Sequence, residues 1–313
     1  MTSVLSRRTV LAGSLALAGC GHRGAFVQAG GSVGRTRRVL MATNAAPGGA
    51  RAGVTRRNTL SLLAVDVAMP QGRAPGEMPL GPGGFSVAGT APIPDLPAEL
   101  QGPDAPILWI HGFNNTPAEA VYRIAQMAED LGLPGPLVAF AWPSAARAAG
   151  YLHDRDSVLH ARSLAKDLIA ELHRASGQRV FVLAHSLGGL LALEALREAS
   201  LEGRPPKALV EGLVLLQPDI DSDVFFGLVE DIGPRPRMLV TVARNDPVLR
   251  LSARLSGRPA RIGATPDIAR LQAAGIAVLD LTGIGDAGNP HFAAATSSEA
   301  LRLIRSIRAS HEG

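Results

Sequence analysis

The sequence predicts an α/β fold, a mostly parallel sheet with helices on both faces, from three observations. From Pro106 onwards, short β-branched and apolar runs alternate with longer helical patterns. Several runs are apolar at every position, as in strands covered on both faces. The residues able to carry chemistry stand where those runs end, as they do in open parallel sheets.

Taken in order, Arg38 to Ala42 is a short strand ending at Thr43-Asn44, and Leu60 to Met69 is a strand closed by Pro70. The next thirty or so residues hold Pro75, Pro79, Pro82, Pro92, Pro94 and Pro97 among many glycines. They are expected to be irregular and to wrap over the sheet edge. Ile107 to Ile110 is a buried strand leading into His111-Gly112-Phe113-Asn114-Asn115. Thr116-Pro117-Ala118-Glu119 then supplies an N-cap, a proline at the first helical position and a capping-box glutamate. That helix should reach Leu131 and stop at Gly132. Leu137 to Trp142 is the next strand, and Ser157 to Ala175 a long amphipathic helix ended by Gly177. A strand at Val180 to Ala184 and a helix at Leu190 to Ala199 follow. Further strands are expected at Gly212 to Leu216, Met238 to Ala243 and Ile276 to Leu281, with helices at Pro247 to Leu255 and Ala293 to Ile307.

The chain has 313 residues, 46% of them hydrophobic, enough for one substantial core, and no internal apolar run is long enough to cross a bilayer. Net charge is +4, with dispersed arginines and only 4% aromatics, which does not suggest nucleic-acid binding. The single cysteine, Cys20, excludes an intramolecular disulfide. It ends a leader with Arg7 and Arg8, an apolar stretch from Val10 to Ala18, and Leu17-Ala18-Gly19-Cys20. This resembles the lipobox of bacterial lipoproteins, and Ser6 to Leu11 resembles a twin-arginine export signal. The organisation expected is a leader over 1–19, a flexible tether over 20–37 and one domain over 38–313. Lipidation at Cys20 would then hold the protein to the cell envelope.

The run Arg179 to Leu191, R-V-F-V-L-A-H-S-L-G-G-L-L, is a strand that turns directly into a helix with Ser186 at the apex. That is the grammar of a nucleophile elbow, with Ala184 and Gly188 in its two small-residue positions. The strand Met238 to Ala243 delivers Arg244-Asn245-Asp246-Pro247, and a glycine-rich loop after Ile276 to Leu281 delivers His291. Ser186 would attack an acyl carbon, His291 would take and return its proton, and Asp246 would orient the imidazole. Asp219 and Asp221, in Q-P-D-I-D, are alternative acids; Asp246 is preferred for its tight strand-to-helix position. Each of the three has a structural alternative, a helix cap for Ser186 and Asp246 and a surface loop for His291. The main-chain N–H groups of Phe113 and Leu187 are the candidate oxyanion donors, and Gly112 avoids a Cβ clash at the bend. His111 and His185 read as structural. His153-Asp154-Arg155-Asp156 reads as acids set against a helix dipole rather than as a metal cluster.

With these residues in place the chain resembles the α/β-hydrolase superfamily, and within it an uncharacterised bacterial esterase/lipase-like family. The motifs run A-T-N (Ala42–Asn44), H-G-F-N (His111–Asn114), W-P-S (Trp142–Ser144), Y-L-H-D-R-D (Tyr151–Asp156), A-H-S-L-G (Ala184–Gly188), P-D-I-D (Pro218–Asp221) and R-N-D (Arg244–Asp246). Pro290 stands where that family usually places a small residue before the histidine. The resemblance implies the triad Ser186, Asp246 and His291 but no particular substrate. The expected activity is hydrolysis of a small-molecule or lipid carboxylic ester, with no cofactor and no metal. Amide or thioester hydrolysis, or a non-catalytic binding module on the same fold, are the alternatives.

Overall fold

The computed structural model describes residues 25–30, 34–47, 54–255, 257, 261–284 and 290–302. The leader and Cys20 lie outside them. Among the described residues nine strands form one sheet in the order β3-β2-β1-β5-β4-β6-β7-β8-β9. They are β1 (Arg35–Ala45), β2 (Arg56–Met69), β3 (Ser86–Pro92), β4 (Ile107–Ile110), β5 (Leu137–Phe140), β6 (Val180–His185), β7 (Val210–Leu216), β8 (Arg237–Val242) and β9 (Ala277–Asp280). From β1 to β9 every pairing is parallel, whereas β2 runs antiparallel to both β1 and β3.

Two expectations at this end change. The Pro- and Gly-rich stretch contains β3 and a short helix, α1 (Leu96–Glu99). Ser86 to Pro92 forms an edge strand because Val87 and its alternating neighbours pack one face while Pro92 ends the pairing. Part of the stretch read as tether is docked rather than free. Val87 donates to Val27 O and accepts from Ala29 N–H (2.7 and 2.9 Å), Phe26 packs edge-on against Tyr122, and β1 already begins at Arg35.

The remaining helices are α2 (Pro117–Leu131), α3 (Tyr151–Ser176), α4 (Leu187–Leu201), α5 (Pro206–Leu209), α6 (Ser222–Ile232), α7 (Pro247–Leu255), α8 (Ile268–Ala273) and α9 (Ala293–Thr296). The capping box of α2 forms as its sequence predicts, with Thr116 accepting from Glu119 N–H and Glu119 accepting from Thr116 N–H; Gly132 ends the helix in the left-handed region. The C-terminal helix breaks at Ser297, whose hydroxyl caps the following turn through Ala300 N–H. Among the described residues no helix is long and apolar enough to cross a membrane.

Alternation along the central strands divides the core into two layers. Leu108, Ile110, Val138, Phe140, Val180 and Val182 face α3, α4 and α6; Ile107, Trp109, Leu137 and Ala139 face α2 and α9. After β4 the chain passes through α2 to β5 on one side. After β6 it passes through α4 and α5 to β7 on the other. The loops leaving β4 and β6 therefore diverge, and the crevice at their carboxyl ends is the place where such sheets bind ligands.

Candidate active site

Ser186 is the residue between β6 and α4, held at φ 52° and ψ −121°. A non-glycine residue in this region costs about 1–3 kcal/mol and persists only where its surroundings over-determine it. Here they do. Ser186 N–H donates to Leu216 O at 3.0 Å, and Gly189 N–H donates to Ser186 O at 3.0 Å. A Cβ at Gly188 would stand 2.5 Å from Ile110 O and closer still to His111 O, so only glycine lets α4 start beside the end of β4. Ser186 is 1% exposed, and its Oγ makes no hydrogen bond among the described residues.

Asp246 follows β8 and is fully buried. Its two oxygens do separate work: Oδ1 accepts from Val248 and Leu249 N–H (2.8 and 3.1 Å), capping α7, and Oδ2 accepts from His291 Nδ1 at 2.7 Å. One carboxylate thus both caps the helix and pairs with the histidine. His291 lies in a helical turn, Pro290–Phe292, and is 5% exposed. Pro290 is the first residue of that turn, a position that proline tolerates. With the proton on Nδ1, His291 Nε2 is an acceptor, the form a general base requires.

A second histidine braces the first. His185 Nε2 donates to His291 O at 2.8 Å, its ring meets His291 edge-on at 4.7 Å, and it stacks on Phe292 at 3.9 Å. Burial, and then the neighbouring His291, hold the His185 imidazole well below its usual range. The reading of His185 as structural thus acquires a specific content, since the residue before Ser186 is bonded to the backbone of His291.

Gly112 packs directly on the elbow. A Cβ there would lie 2.7 Å from His185 Nδ1, 2.8 Å from Ser186 Cβ and 2.9 Å from His185 O. Close approach is the reason for this glycine. Gly112 O accepts from His111 Nδ1 at 2.8 Å, so the Phe113 N–H of the same planar peptide points the opposite way. Leu187 opens α4, and its N–H is one of the four without an intrahelical partner. His111 stacks on Trp142 at 4.6 Å, Trp142 Nε1 donates to His111 O at 2.8 Å, and burial pushes the His111 imidazole down.

The model of a family described as "Alpha/beta hydrolase of unknown function (DUF900)" matches residues 100–307. The chain belongs to this family. No curated protein matches. The solved structures it is similar to include an esterase from the archaeon Pyrobaculum calidifontis (13% identity over 89% of this chain and 83% of that one, TM-score 0.41). A predicted CIB-like hydrolase from Thermoplasma acidophilum (12%, 80% and 93%, 0.40) and fungal esterases from Rhizomucor miehei (14%, 90% and 84%, 0.38) are also similar.

In this α/β-hydrolase the alternative acids are engaged by other partners. Asp219 accepts from Tyr151 Oη at 2.8 Å and Ser252 Oγ at 2.6 Å and pairs with the buried Arg261. Burial and then Asp219 raise the Tyr151 phenol well above its usual range. Asp221 caps α6 through Asp223 and Val224 N–H. Phe225 is core, Phe226 lies under the Arg270 guanidinium, and Ile262 and Leu271 are buried. A cavity of about 360 Å³ lies elsewhere, near the start of β1, among paired charges such as Arg73 with Asp130. Sequence reasoning missed Asp154, read as one of several acids facing a helix dipole. It is wholly buried and bonded to two loops beside the elbow.

Proposed function

We propose that this protein is a serine hydrolase that cleaves a carboxylic ester through an acyl-enzyme, with Ser186 as nucleophile, His291 as general base and then acid, and Asp246 as the group that orients it. The observation supporting this most directly is the 2.7 Å bond from His291 Nδ1 to Asp246 Oδ2 at the carboxyl edge of the sheet, beside a serine in elbow conformation. In the reaction Ser186 Oγ attacks the acyl carbon as its proton passes to His291 Nε2. The oxyanion forms against Phe113 and Leu187 N–H. His291 then protonates the leaving alcohol, and water repeats the sequence to release the acid. The Ser186-to-His291 hydrogen bond closes when substrate binds, since such bonds are commonly long in free enzymes. The substrate is a small-molecule or lipid ester, and lipidation at Cys20 places the enzyme on the cell envelope.

A fluorophosphonate probe tests the chemistry: it should label wild type and not Ser186→Ala. Folded wild type that stays unlabelled overturns it, and points to the second reading, a binding module that keeps the fold. That reading has one observation in its favour, a Ser186 hydroxyl that is enclosed and makes no hydrogen bond among the described residues. A panel of p-nitrophenyl esters of increasing acyl length, run beside an anilide and a thioester series, separates ester hydrolysis from its relatives. Replacing Cys20 with serine should move the protein out of the membrane fraction; retention there overturns the anchor.

A further inference from the structure

Three separate motifs, H-G-F-N, W-P-S and Y-L-H-D, converge on one buried carboxylate. Asp154, in the first turn of α3, is fully enclosed. Its Oδ2 accepts from Asn114 N–H at 3.0 Å and from Ser144 Oγ at 2.6 Å; its Oδ1 accepts from Ala145 N–H at 2.6 Å and lies 3.3 Å from His153 Nδ1. Ser144 Oγ in turn accepts from Ala146 N–H at 3.1 Å. Asn114 (φ 59°) and Ala146 (φ 50°) are two of only four non-glycine residues with positive φ among the described residues, and Ser186 is a third. Asn114 and Ala146 each sit in a loop that Asp154 ties down. Buried carboxylates spanning two loops in this way hold backbone conformations that those loops would not keep alone.

We propose that Asp154 is the positioning residue of the oxyanion hole, locking the loop that carries the Phe113 N–H against the loop Trp142–Ala146. The proposal rests on the assignment of Ser186 as nucleophile. Both peptides flanking Phe113 are pinned: the Gly112–Phe113 peptide through its carbonyl by His111, and the Phe113–Asn114 peptide through its N–H by Asp154. Asn115 Nδ2 donates to Phe113 O at 2.9 Å and completes the restraint on the second. With one peptide fixed on each side, the direction of the Phe113 N–H is set by these bonds. Releasing Asp154 leaves the donor present but unaimed, and a displacement of about 1 Å at such a group costs up to about 100-fold in rate.

The test compares Asp154→Asn with wild type and with Ser157→Ala, which removes another buried polar contact one turn along α3, to Arg56. The expected result for Asp154→Asn is a fall in kcat of roughly 10- to 100-fold with little change in KM. Affinity for a trifluoromethyl ketone, whose serine adduct carries the oxyanion, should fall by the same factor as kcat/KM. Ser157→Ala should keep kcat and the ketone affinity. Unchanged kcat in folded Asp154→Asn, or a fall in kcat with full ketone affinity, overturns the proposal. If Asp154→Asn does not fold, Ser144→Ala removes one bond to the same carboxylate and should lower kcat and ketone affinity together; unchanged values overturn it. Wild type that neither labels with fluorophosphonate nor hydrolyses ester fails the serine-hydrolase reading itself, and this proposal with it. Labelled wild type with an unaffected Asp154 variant fails this proposal alone.

Discussion

The proposed nucleophile and the proposed base are held in place by different kinds of chemistry. Ser186 is fixed by main chain: a strained φ, two backbone hydrogen bonds, and glycines 112 and 188 that admit neighbouring backbone to within contact. His291 is fixed by side chains, with Asp246 on Nδ1 and His185 on its carbonyl. In the first arrangement the turn itself and Gly188 lie within the thirteen residues Arg179 to Leu191, and backbone at Leu216 and Gly112 is added from elsewhere. The second needs groups 45 and 106 residues away. The two should therefore fail differently, the elbow when a side chain is added and the base when a polar atom is exchanged.

The largest effect is expected on the base. Asp246→Asn keeps an oxygen to cap α7 but turns an NH₂ towards His291 Nδ1, which must then accept. The ring proton moves to Nε2, and His291 loses the lone pair that takes the serine proton. The kcat for ester hydrolysis should fall by about 10⁴, with the urea midpoint nearly unchanged. Asp219→Asn should leave kcat of the wild-type order, because Asp219 is engaged by Tyr151, Ser252 and Arg261. The opposite pattern would show that the acid has been misassigned.

On the elbow side, Gly112→Ala adds one methyl 2.7–2.9 Å from His185 Nδ1, Ser186 Cβ and His185 O. Two of these three neighbours belong to backbone or to a Cβ that cannot rotate aside, so the oxyanion loop must move. Overpacking of this kind costs about 1–3 kcal/mol of stability, and the displaced donor costs about 10² in kcat. Chemical denaturation and steady-state kinetics measure the two separately. A variant with wild-type kcat would mean that the loop and the nucleophile are not coupled through this contact.

How much of the site could be read from sequence follows the same division. The elbow, the capping box of α2 and the order of Ser186, Asp246 and His291 are carried by neighbouring residues, so periodicity and spacing expose them. Asp154 was hidden because its partners lie 9, 10 and 40 residues away and its own neighbours are charged. Within the run H-D-R-D nothing local separates the acid that turns inward from Asp156 beside it. The signal available was the co-occurrence of H-G-F-N, W-P-S and Y-L-H-D, which becomes an explanation only when the topology brings the ends of β4 and β5 to the start of α3. β3 was missed for a related reason: its prolines and glycines mark turns locally, while its pairing with β2 is supplied by a strand some twenty residues earlier.

The smallest effect sharpens the contrast through pH. Burial holds the His185 and His111 imidazoles low in the fold, whereas in the unfolded chain each regains an ordinary value near 6.5. Below that pH the unfolded state binds more protons than the native one, so stability is complete above about 6.5 and declines as pH falls. Each histidine contributes a slope of up to about 1.4 kcal/mol per pH unit in that window. His185→Gln keeps an N–H able to reach His291 O but does not titrate. Its unfolding free energy between pH 5 and 6.5 should therefore be less steep than wild type by one proton, and its kcat should stay close to wild type at pH 8. An identical slope would mean that His185 is not the neutral, enclosed brace of the base. A normal slope change with kcat lost at pH 8 would mean that the imidazole itself, rather than its hydrogen bond to the His291 carbonyl, sets the position of the base.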